Sequence, residues 1–199
     1  MAKRPFTPTR QQVVDVFNNS LTYEVLFTFG VPVHDPNDYC NWEAINFNRM
    51  AHARLLYDFL EQRIANRFKD NVLAEDFGYP ANPIPLPDAD RQRLNKDLMH
   101  LTYDRLRHTP ATKPWPDSIL AKLQDPMVGF MRHVATQSDL FPSADLSRSW
   151  SDLISCVTAG TQMIISSKLG PDNRPRYELR PGAPLPSGKA ALTKFGQPL

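Results

Sequence analysis

The residues best suited to chemistry crowd into one stretch, Arg91 to His108, which holds Arg93, Asn95, Lys96, His100, Tyr103, Arg105, Arg107 and His108. On an α-helix, seven residues at about 100° each return to within about 20° of the start. Arg93 and His100 would then share one stripe, with Lys96, Asp97 and Asp104 near it. A guanidinium donates paired hydrogen bonds to phosphate oxygens, and an imidazole moves protons near neutral pH. In RNA the 2′-OH is an internal nucleophile, so a histidine base and a charge-stabilising arginine suffice for cleavage to a cyclic phosphate without metal.

A second basic cluster, Arg105, Arg107 and His108 beside Tyr103, pairs an aromatic ring with cations, the chemistry that stacks bases and grips phosphates; Lys96 adds a further phosphate contact. Asp104 partly cancels its charge. The same residues also have a purely structural use. His100 and Asp104 are spaced for an i,i+4 pair, and cations near a helix C-terminus complement its macrodipole.

Arg93, six intervening residues and His100, with polar Asn95 inside the gap, resemble the Arg-x(4–6)-His signature of HEPN-superfamily helical domains. The preceding run from Asn46 to Leu60 is similar to the long helix of bacterial HEPN-like proteins, and the resemblance covers residues 40–108. It departs from the usual pattern at Leu94, where a polar residue commonly follows the arginine. The resemblance implies a homodimer that composes one RNase site from two motifs, with His100 as base or acid, Arg93 on the phosphate and Asn95 orienting it.

Elsewhere the chemistry is thinner. His52 falls on an apolar helix face, where a histidine hydrogen-bonded inside the core is the expectation, and Arg54 and Asp58 are spaced to pair. The five histidines, 34, 52, 100, 108 and 133, show no ligand spacing, and there is no Cys-x-x-Cys or His-Glu-x-x-His. Glycine-rich phosphate loops are absent from the sequence too. We expect no metal and no cofactor.

The elements that must position these residues are helices. Thr7-Pro8 opens the first, from about 8 to 29, on Val13, Val14, Phe17, Leu21 and Val25, with Gly30 and Pro32 as the stop. The second runs from Asp38 to Phe68 with Ile45, His52, Leu56, Phe59 and Leu60 on one face and Asn48, Arg49, Glu61 and Arg63 largely polar, a length above about 40 Å. Pro80, Pro83, Pro85 and Pro87 then make an extended connector across the end of the bundle. Asp88 caps a third helix to His108. Trp115 marks a packed corner, and a fourth helix spans Asp117 to Thr136 with a break at Asp125-Pro126. A fifth covers Ser143 to Ile154. Thr158 to Ser167 suits either helix or strand.

The expected fold class is all-α: an elongated up-down bundle of about five helices with the proline-rich connector and an irregular C-terminal tail. Residues 1–168 form one helical domain, and 169–199 form a Pro/Gly-rich tail that carries five prolines between Gly170 and Pro186. The chain of 199 residues has 41% hydrophobic and 22% charged residues, ordinary globular usage. A net charge of +2 selects no polyanion by itself, so any RNA contact must come from local clustering. Cys40 and Cys156 form no disulfide framework, the basic start leads into no apolar signal segment, and Leu21 to Val33 is too short for a membrane span. These features point to the cytoplasm and to no membrane. Two functions fit best, a HEPN-like RNase or RNA-binding homodimer, or a non-catalytic helical interaction or regulatory module with a protein partner; a small-molecule enzyme with a pocket between helices is a third, with no residue set to mark it.

Overall fold

A computed structural model describes residues 6–32, 39–98, 115, 118–159, 163–169 and 175–181. They are mostly helical, as the all-α class requires, with a small three-stranded sheet added. The first helix starts two residues later than expected. Thr9, not Thr7, is the cap: its Oγ accepts from the Gln12 N–H at 3.3 Å while Gln12 Oε1 accepts from the Thr9 N–H at 2.8 Å. From there α1 (Arg10–Val16), a π-helical turn (Phe17–Leu21) and α2 (Thr22–Phe29) run without a break.

In the π turn the Thr22 N–H reaches the Phe17 carbonyl. Val13, Phe17, Leu21 and Val25, each four residues after the last, are all buried along this run, so the row faces the core through the wider turn. Gly30 then ends α2 in an extended conformation and opens β1 (Gly30–Pro32).

The long helix α3 (Tyr39–Glu61) packs against α2 and stops seven residues short of Phe68. Ile64 and Phe68 continue its apolar spacing but stay outside the core, 41% and 63% exposed. Its last turn is instead closed by the connector: Asn82 N–H donates to the Leu60 carbonyl at 3.1 Å, and Ile84 N–H to Glu61 at 2.7 Å. Ile84 and Leu86 are buried there, so the proline segment does lie across the end of α3. Arg49, expected to be polar and outward, is buried and donates from Nε to the Thr28 carbonyl at 3.0 Å, satisfying a carbonyl in the last turn of α2.

The short α4 (Asp88–Gln92) is capped by Pro87 and not by the side chain of Asp88. α5 (Ser118–Ala135) passes through Pro126 without the expected break, because Leu123, Met127, Phe130 and Met131 are buried on both sides of it. α6 (Ala144–Ala159) packs on α5 through Trp150, Leu153 and Val157, and the Trp150 indole N–H donates to the Met131 carbonyl at 3.0 Å. Rings fill the centre: Phe130 meets Phe59, Phe77 and Tyr79 edge-on at 4.9, 5.5 and 5.6 Å.

The C-terminal part differs from expectation. Of the stretch that suited helix or strand, Thr158 and Ala159 close α6 and Met163 onward forms β2 (Met163–Leu169), while β3 (Pro175–Pro181), expected to be irregular, pairs antiparallel with β2 from Met163↔Pro181 to Leu169↔Pro175. Arg176-Tyr177-Glu178-Leu179-Arg180 alternates polar and apolar, a period-two pattern hidden by its bracketing prolines. β2 also pairs parallel with β1, Gly30↔Met163 to Pro32↔Ile165, which joins the first helices to the hairpin. Among the described residues no helix is long and apolar enough to cross a membrane.

Candidate RNA-contacting site

The described part of the predicted site is the segment from Asp88 to Leu98. Its position is set by Arg91, whose guanidinium grips both oxygens of Glu61 at 2.6 and 2.9 Å and donates to the Ile84 carbonyl at 3.0 Å. The hydrogen bond to Glu61 holds this arginine more firmly charged than usual. Beneath it Tyr57 donates to the Ile119 carbonyl at 2.7 Å, and burial, reinforced by Glu61, raises the phenol well above its ordinary range. Asp90 accepts from the Ser118 hydroxyl at 3.0 Å and so ties the segment to the start of α5.

After Gln92 the backbone widens into a second π turn, Arg93–Asp97, closed by Leu98 N–H on the Arg93 carbonyl at 3.1 Å. Leu94 and Leu98, four apart, are both buried and fasten the turn to the core. Arg93 is half-buried at the rim, with its guanidinium carbon 4.8 Å from the centre of the Trp115 ring. Asn95 and Lys96 are exposed. The structure thus brings Arg93, Asn95 and Lys96 onto one short turn beside an indole. His100, Tyr103, Arg105, Arg107 and His108 lie outside the described residues.

The shared stripe of Arg93 and His100 assumed α-helical advance from residue 93, but a π turn advances less per residue. Seven-residue spacing therefore does not put the two side chains on one stripe by itself.

Sequence reasoning placed His52 correctly as a hydrogen-bonded, largely buried histidine but gave it no partner. Its Nδ1 lies 2.6 Å from Glu24 of α2, and Tyr23 and Phe27 flank its ring at 5.4 and 5.7 Å. A lone Glu24 in the apolar run Leu21–Val33 was the available signal. A carboxylate on one ring nitrogen fixes the imidazole's orientation, as in acid–base pairs. Arg54 and Asp58 form no ion pair at their i,i+4 spacing; burial raises the Asp58 carboxyl, and Arg54 offsets this only in part. Among the described residues no group of three His, Cys, Asp or Glu side chains could hold a metal ion. No family model, no curated protein and no solved structure matches this chain.

Proposed function

We propose that this chain is a HEPN-like helical protein that binds and cleaves RNA, with Arg93 on the phosphate, Asn95 orienting it and His100 moving the proton. The observation that supports the reading is the Arg93 turn: a guanidinium oriented by the Trp115 ring next to exposed Asn95 and Lys96, on a segment docked by Arg91 and Glu61. Arginine beside an aromatic ring is a common surface for single-stranded nucleic acid, and π turns are frequent at functional sites. Tyr103, Arg105, Arg107 and His108 would extend the contact along the RNA. In this reading two copies compose one cleft, and the protein works in the cytoplasm.

The reaction would balance without a metal. His100 removes the 2′-OH proton, the 2′ oxygen attacks the adjacent phosphorus, and the 5′-O bond breaks with return of a proton to the leaving oxygen. The test uses end-labelled single-stranded RNA in excess chelator, with the full chain, His100→Ala and Arg93→Ala. Cyclic-phosphate ends from the wild type, and at least about a 10²-fold loss in His100→Ala at unchanged Tm, are expected. No cleavage and no RNA retention by the wild type would overturn the reading.

A second reading, a non-catalytic helical interaction module, is favoured by the same Arg93–Trp115 contact taken as packing. In that case Arg93→Ala lowers stability by about 1–3 kcal/mol and changes no activity on RNA.

A further inference from the structure

A cavity of about 330 Å³ lies between the start of α1 and the loop after α3, near the lower end of the range of about 300–1,000 Å³ usual for small-molecule sites. Arg67 lines it with a side chain only 3% exposed. Its Nη2 donates to Asp76, which is 4% exposed and whose other oxygen is already held by the Leu73 N–H at 2.9 Å. The Arg67 Nε and Nη1 are buried and have no acceptor. Buried donors of a charged group lose their water without replacement, so they are poised to take an acceptor brought by a ligand. The Phe6 ring covers the guanidinium, its centre 5.7 Å away, and is itself partly exposed, so it can swing aside without breaking the core.

The remaining walls say which acceptor. Asp15 and Asp70 line the same cavity and both are exposed, which disfavours a simple anion. Val13 and Val72 supply an apolar wall. A molecule with a carboxylate, a cation and an apolar body in one small frame satisfies all three surfaces. We propose that this cavity binds an apolar α-amino acid as its zwitterion, the carboxylate on Arg67, the ammonium on Asp15 and Asp70, and the side chain on Val13 and Val72. The site is independent of the RNA reading and stands or falls separately.

Thermal unfolding of the full chain in L-leucine or L-phenylalanine through the millimolar range tests it. Tm is expected to climb with concentration. The analogues 4-methylpentanoate and isoamylamine, each lacking one charge, are expected to be at least about tenfold less potent. Arg67→Lys is expected to weaken the response, and if that variant unfolds, Val72→Trp decides: Val72 is 38% exposed, so an indole there fills the cavity without disturbing the Arg67–Asp76 pair. Loss of the leucine response in a folded Val72→Trp supports the site. A Tm unmoved by either amino acid, equal potency of leucine and its one-charge analogues, or a full response in Val72→Trp overturns it.

Discussion

The pair joining Arg10 to Asp139 ties α1 to the turn between α5 and α6 through two hydrogen bonds of 2.6 and 2.7 Å. The Arg10 hydrogen bond holds the Asp139 carboxyl below its ordinary value, so the folded chain binds that proton less readily than the unfolded one. Its contribution is complete above the unfolded aspartate value of about 4 and disappears as pH falls through the lower folded value. The Tm gap between wild type and Asp139→Asn should be constant from about pH 5 to 7 and close below about pH 4. Cys156 offers a second test. Burial, then Asp152, raises its thiol, so in Cys40→Ser protein its alkylation by iodoacetamide near about pH 7.5 should be slower than that of free cysteine, as followed by mass. Its place on an apolar helix face marked His52 as an interior histidine. Partners were not legible, since Glu24 lies 28 residues from His52 and Arg10 lies 129 from Asp139.

Among the elements, α4 and the π turn behind it depend on a single anchor. Arg91→Met removes the bonds to Glu61 and Ile84 but keeps an apolar stem over Tyr57. We expect a loss of about 1–2 kcal/mol, discounted for partial exposure, read from the urea midpoint, with weaker RNA binding if the segment acts as proposed. Element identity was largely readable from the sequence. Gly30 stopped the first helix where expected, and the connector prolines kept 79–87 free of helix. The misplaced helix ends have one cause, which is that sequence signals record what a helix could bury and not what it meets. Ile64 and Phe68 keep the period of α3 but lie outside the core, whereas Pro126 sits in a helix whose buried neighbours on either side carry it through. Four-residue spacing in Phe17–Leu21 and Leu94–Leu98 was read as α-helical, as the same spacing is in Ile119–Met131; the two wider turns, and with the second the geometry of the candidate site, left no mark in that spacing.

Over the whole molecule, stability concentrates where Phe130 brings together rings from α3, α5 and the loop between α3 and α4. Phe130→Ala should cost about 3–5 kcal/mol and lower the denaturant midpoint of the whole cooperative transition. The helical class and the inward face of Phe59 were legible; Phe77 and Phe130, and their meeting with Phe59, were not, because the three rings are joined only by the tertiary fold. The sheet has a different consequence. Among the described residues its outer strands are β1 and β3, and prolines stand at the end of the first and at both ends of the second. A pyrrolidine ring offers no N–H to an incoming backbone, so a neighbouring molecule trying to stitch its own strand onto either margin meets gaps in the seam. In a chain whose apolar Phe68 and Leu55 already face outward, these rings guard against fibril growth.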